Sequence, residues 1–278
     1  MALSRSLYVP ALLLLFFSLI VCNRSSAEPV MPLAPHRAVY DLSLLKGSGA
    51  KAPMLARGRI AFDFTGSACE GYVQNFRQIT ELQPEEGDTR VSELHSATFE
   101  AGDGRTYRFK ITTKVDNGAV DDIDGSAQKE KDKKISIELA RPKRDKRDIA
   151  GPILFPTEHL RDILTSARAQ VQILEAQVFD GSGDGAKPFD TMTIIGKPIA
   201  TPANEKSAQI DALKNMRRWP VSISYFEAGK KDGLPAYALS FDLYENGVSR
   251  ALKLDYGDFV LAGEMSQLTL LPIPKCDK

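Results

Sequence analysis

Residues 237–256 read YALSFDLYENGVSRALKLDY. Tyr237, Leu239, Phe241 and Leu243 alternate with Ala238, Ser240 and Asp242. A period of two puts the apolar set on one face of a β-strand and the polar set on the other. Glu245-Asn246-Gly247 then supplies the positive φ angles of a tight hairpin. Beyond the turn, Val248, Leu252, Leu254 and Tyr256 resume one apolar face, interrupted only by Arg250. Half-buried strands joined by hairpin turns predict an antiparallel meander.

The pattern extends outward in both directions. Tyr40, Leu42 and Leu44 share a face, as do Ile60, Phe62 and Phe64, and Val221, Ile223 and Tyr225. Turn signals stand at Lys46-Gly47-Ser48-Gly49, Glu86-Gly87-Asp88, Gly102-Asp103-Gly104, Asp116-Asn117-Gly118, Asp124-Gly125 and Tyr256-Gly257-Asp258. Residues 174–179 and 189–194 read as strands, and the stretch Asp180 to Lys187 between them reads as a flexible hairpin tip. Trp219, before Pro220, reads as core at a strand start. One helix stands out: Thr157 caps residues 158–170, whose Leu160, Ile163, Leu164 and Ala167 form one apolar face. A weaker helix runs from Glu205 to Met216, with Ile210, Leu213 and Met216 in phase. Strands do not alternate with long helices, which argues against a parallel α/β sheet. About a dozen strands and one main helix predict a mainly all-β single domain over 28–278, a long antiparallel sheet curled into a spiral or open barrel around that helix.

The chain has 278 residues, 43% hydrophobic and 26% charged, with 36 basic against 36 acidic side chains. That balance suits a globular protein and argues against a nucleic-acid binder, which shows a basic excess. Arg5, the apolar run Ala11–Cys22, and Ser25 and Ala27 at the −3 and −1 positions form a secretory leader, with cleavage expected after Ala27. Twelve apolar residues are short of the roughly 20 needed to span a bilayer. Leu19-Ile20-Val21-Cys22 departs from a lipobox, with Val where a small residue belongs. Removing the leader leaves 251 residues with 34 basic and 36 acidic side chains, and two cysteines, Cys69 and Cys276. An even count in an oxidising compartment invites one disulfide, with two separate buried thiols as the alternative.

Candidate chemistry is sparse. Asp121-Asp122-Ile123-Asp124-Gly125 lacks the spaced oxygens of a calcium loop and reads as a turn. Residues 180–187 lack the GxxxxGK[ST] order of a phosphate loop. His36, His95 and His159 have no metal-ligand spacing and no nucleophile motif beside them, so neither a catalytic residue nor a metal or cofactor is expected. The basic stretch Arg141–Arg147, with the lysines of 129–134 before it, reads as a solvated hairpin, or as a contact for anionic lipid headgroups or an acidic partner.

Five motifs occur in order: Ala34-Pro35-His36-Arg37-Ala38-Val39-Tyr40-Asp41-Leu42, Cys69-Glu70-Gly71-Tyr72, Phe155-Pro156-Thr157-Glu158-His159, Trp219-Pro220-Val221-Ser222-Ile223-Ser224-Tyr225-Phe226, and the near-terminal Cys276. Together they resemble the EipB-type envelope-integrity proteins of alphaproteobacteria, over essentially the whole mature chain. The resemblance implies a periplasmic protein with a long antiparallel sheet wound around a helix. It implies that Cys69 and Cys276 are joined, that the role is maintenance of the cell envelope, and that no catalytic residues are to be carried over. The expected function is therefore non-enzymatic binding of a periplasmic protein or envelope component. A lipid or lipoprotein carrier with an apolar pocket is the alternative.

Overall fold

The computed structural model describes residues 32–48, 52–130, 134–229 and 233–276. The leader with its cleavage site and Cys22, Gly49 of the first turn signal, and residues 131–133 of the lysine run lie outside the described residues.

The chain forms two meanders. In the first, β1 (His36–Gly47), β2 (Leu55–Ser67), β3 (Gly71–Gln83), β4 (Arg90–Glu100), β5 (Thr106–Val115), β6 (Val120–Lys129), β7 (Lys134–Arg141) and β8 (Asp145–Ala150) pair antiparallel in succession. A two-residue strand, β9 (Ile153–Leu154), leads into helix α1 (Pro156–Arg168). The second meander comprises β10 (Ile173–Val178), β11 (Phe189–Ile195), β12 (Arg218–Glu227), β13 (Tyr237–Tyr244), β14 (Ser249–Asp255) and β15 (Phe259–Leu270). β15 returns along β1, from Gly47↔Phe259 to His36↔Leu270, and joins the meanders into one 15-stranded sheet.

The edges of that sheet, β8 and β9, are consecutive in the chain and linked only by Gly151 and Pro152. Three residue steps reach at most about 11 Å. The two edges therefore meet at this point, and the twisted sheet curls round to form a nearly closed barrel. The predicted alternation decides which face turns inward. On β5, Tyr107, Phe109 and Ile111 are buried while Arg108 and Lys110 are exposed.

Helix α1 lays Ile163, Leu164 and Ala167 against Phe64, Tyr72, Trp219, Val221 and Leu243, with Leu160 packed partly buried beside them. Each such large side chain contributes about 1.5–3 kcal/mol through burial. The cap lies two residues before Thr157: Phe155 is the N-cap and Pro156 the first helical residue. Phe155 has no acceptor, so carboxylates do the capping. Glu100, on β4, accepts the Thr157 and Glu158 amide hydrogens at 2.7 and 3.0 Å, and Glu158 accepts that of Phe155 at 3.0 Å. The cap comes from a strand more than fifty positions away, which is why the local sequence pointed to Thr157.

Three other expectations need correction. The helix expected over 205–216 breaks into a 3-10 turn (Lys206–Ala208) and a single turn, α2 (Asp211–Lys214). Its backbone is extended at Glu205, whose buried carboxylate is held by Arg250 and by the Met265 amide. Asp121 to Gly125 is not a turn but lies within β6. Gly125 is needed there for close approach, since a Cβ would come within 2.8 Å of the Phe109 ring. The stretch 180–187 is no loose tip either. Phe179 and Ala186 are buried with Tyr107 and Phe109, and Gly181, at φ +76°, lies so close to Phe109 that a Cβ would come within 2.4 Å.

Candidate functional site

An outer cleft of roughly 960 Å³ lies across β4 to β8. Strand register builds it from cross-strand rows. One row runs Phe99, Arg108, Ser126, Glu138, Lys146, and the next runs Ala97, Lys110, Asp124. The Arg108 guanidinium lies 6.0 Å from the Phe99 ring centroid, in cation–π range. Lys146 pairs with Glu138 at 2.7 Å, and Asp145 with Arg147 at 2.7 Å. Those bonds raise the Lys146 ammonium above its ordinary pKa and hold the Asp145 carboxyl below its own. The mouth thus carries Arg108, Lys110, Arg144 and Lys146 against Asp124, Glu138 and Asp145. The basic stretch read from the sequence is this β7–β8 hairpin, and its Arg144 and Lys146 rim the cleft rather than standing apart from it.

Phe99 connects the cleft to the cysteines. Its ring packs on Gly71, where a Cβ would come within 2.7 Å, two residues after Cys69. Cys69 stands on the exposed turn between β2 and β3 and is bridged to Cys276, with the Cα atoms 5.8 Å apart. That separation suits a disulfide.

The histidines fall on β1, β4 and α1. His36 is buried with Nδ1 2.8 Å from the Ala34 carbonyl. Burial lowers the His36 pKa. Burial also pushes His159 down to about 4, beside the Thr193 hydroxyl at 3.4 Å. Among the described residues no three His, Cys, Asp or Glu side chains group to hold a metal.

Two buried polar groups escaped the sequence reading. Arg250, the residue that interrupts the apolar face of β14, turns inward at a β-bulge where Ala251 adopts φ +50°. Its guanidinium binds Glu205, Asp242 and Asn204. At the C-terminal end of α1, Glu245 accepts from Arg168 at 2.9 Å and from Arg217 at 2.8 Å. Burial alone would raise the Glu245 carboxyl, but the bonds from the two arginines outweigh it and leave the pKa lowered. The break in periodicity at Arg250 was the available signal for the first group. The second had none, because its members are distant in sequence.

Several apolar side chains on the inward face of the sheet are not fully buried. Phe62, Phe76, Leu82, Leu239, Leu254 and Phe259 pack against the buried clusters yet stay partly accessible. By register, Phe62 faces Phe76 and Leu239 faces Leu254.

A spiral, barrel-like sheet wound about one helix, its two meanders joined through β1 and β15 and stapled by a disulfide, defines the class of this protein. The chain belongs to the EipB-like family, whose model matches residues 27–272. It is 36% identical over 247 residues to the cell envelope integrity protein EipB of Brucella abortus, covering 88% of this chain and 87% of that one. A crystal structure of a beta-barrel-like protein from Brucella abortus, with a domain of unknown function, superposes with a TM-score of 0.81 at 36% identity. The match covers 87% of this chain and 100% of that one.

Proposed function

We propose that this chain is a non-enzymatic protein of the periplasm that supports cell-envelope integrity by binding a periplasmic protein or envelope component. Membership of the EipB-like family supports the envelope role, and the expected leader supports the compartment. The observation that carries the binding reading is the outer cleft. Its Arg108 and Lys110 rise from β5, and Arg144 stands beside them on the β7–β8 turn, so the sheet sets the spacing of the first two before any partner arrives. Such a surface suits an acidic partner. The test is complementation of a strain lacking the gene, grown under detergent or cell-wall stress. The wild-type chain restores growth. A chain with Arg108→Glu, Lys110→Glu and Arg144→Glu keeps its melting temperature but does not restore it. Full rescue by that variant refutes the cleft as the binding surface.

The partly accessible apolar residues inside the barrel favour a second reading, carriage of a lipid or lipoprotein acyl chain. Native mass spectrometry of protein isolated from membrane-containing cells distinguishes the two, since a carrier retains a lipid mass.

A further inference from the structure

The seam of the barrel opens into a wedge. β8 is bonded to β7 and β9 is bonded in parallel to β10, and among the described residues no ladder joins β8 to β9. β9 reaches only Gln177 and Val178. Before it, Gly151, at φ +133°, and Pro152 connect β9 to β8. The Ile173–Ala176 part of β10 therefore has a partner strand on one side only.

The phase of β10 fixes what faces the gap. The Ile195 amide donates to the Gln172 carbonyl, so Gln172, Leu174 and Ala176 direct their backbone groups toward β11. Ile173 and Glu175 direct theirs to the open edge, the side on which the Phe179 amide meets Leu154. A cleft of roughly 690 Å³ lies along this edge, bounded by Pro152 and Leu154 on one side and Asp162 of α1 on another. Among the described residues its lining holds three carboxylates, Asp162, Glu175 and Asp190, and no cation. Burial and the nearby Glu158 raise the Asp162 carboxyl, and Lys129 offsets only part of this. Outside the edge, Ile173 and Ile194 sit opposite each other at 61% and 51% exposure, next to Met192 and Val171. An open edge with exposed apolar side chains is what natural sheets avoid unless something covers it.

We propose that this edge is a β-augmentation site for an extended, basic segment of a partner protein. The segment would lie against Ile173–Ala176 in line with β9. Only another extended backbone presents donors and acceptors at the two-residue spacing of Ile173 and Glu175. Lysines or arginines on the outer face of the segment would lay their stems over Ile173 and Ile194 and bring their charges to Glu175 and Asp190, while the alternate apolar side chains would face inward beside Leu174 and Ala176. The inference rests on the reading of the chain as a binding protein, but it uses a surface separate from the outer cleft.

Amide hydrogen exchange by NMR tests it on the mature chain, with two nonapeptide probes, one alternating lysine with valine and one alternating glutamate with valine. The free protein exchanges the Ile173 and Glu175 amides rapidly. The lysine peptide slows both at least tenfold, and the glutamate peptide does not. Glu175→Pro, which removes an edge amide where proline is tolerated, abolishes the effect on Ile173. Ile173→Lys, which leaves the backbone intact, weakens it. Amides already protected in the free protein, no slowing by saturating lysine peptide, or equal slowing by both peptides overturns the proposal. So does a dimer that Glu175→Pro dissociates, which gives the edge to a second copy. A chain that complements the envelope defect yet fails here keeps the binding role and loses this site.

Discussion

His159 carries a pH dependence with a definite sign. Its ring is buried on α1, and its pKa falls to about 4 through loss of solvation. In the unfolded chain the ring protonates near pH 6.5, while the folded chain resists protonation until about pH 4. Folding stability from this residue is therefore complete above pH 6.5 and is lost as pH falls toward 4, up to about 3 kcal/mol. His159→Asn flattens the difference between urea midpoints at pH 7 and pH 4.5; an unchanged difference refutes the assignment. Arg250 makes a second residue-scale case. Its partner Glu205 also accepts the Met265 amide at 2.9 Å, and both side chains are buried. Arg250→Met leaves a buried carboxylate without its cation and costs about 3–5 kcal/mol. Adding Glu205→Gln recovers part of that loss in the same urea titration.

Elements depend on these contacts. Leu164 is 2% exposed within the cluster where α1 meets β2, β3, β12 and β13. Leu164→Asp places an unpartnered charge there and costs several kcal/mol. An unchanged melting temperature would mean that the helix face does not pack on the sheet. This face was legible in the sequence because its period is local: Ile163, Leu164 and Ala167 are close together in the chain. The cap was not, because Glu100 arrives from β4. Asp180–Lys187 shows the same limit from the other side. Glycine and aspartate signal a turn correctly, but the sequence carries no sign that Gly181 will be pressed onto Phe109. The alternation in 237–243 defined a strand, and Arg250 marked where the pattern fails. Only the β-bulge at Ala251 explains why an arginine points inward. Of the candidate cleft, the Arg141–Arg147 hairpin was visible, while Phe99, Arg108 and Lys110 become neighbours through register alone.

At the scale of the molecule, β1 and β15 join the two meanders into one sheet, and the disulfide secures the C-terminal tail beyond β15. The Leu271 amide donates to the Pro35 carbonyl at 2.8 Å, and beyond Leu271 the described chain adds no strand. Pro272 and Pro274 remove the donors that would continue the ladder. The bridge holds this tail to the β2–β3 turn. That turn packs on the β4–β5 loop, where a Cβ on Gly102 would come within 1.9 Å of the Ala68 carbonyl oxygen. The bridge thus secures the last strand to the end of the sheet where Glu100 caps α1. Chain entropy for a loop closed across 207 positions sets a ceiling of roughly 5 kcal/mol. The apolar core persists without it, because a chain of this length buries enough surface to fold. Cys276→Ser therefore lowers stability by a few kcal/mol, leaves the far-ultraviolet signature of a β-sheet, and weakens complementation under envelope stress. Both cysteines are exposed, so dithiothreitol lowers the wild-type urea midpoint to that of the variant and leaves the variant unmoved. A reductant with no effect on the wild type, or free thiols at both positions in exported protein, removes the disulfide from the account of what holds the C-terminal tail.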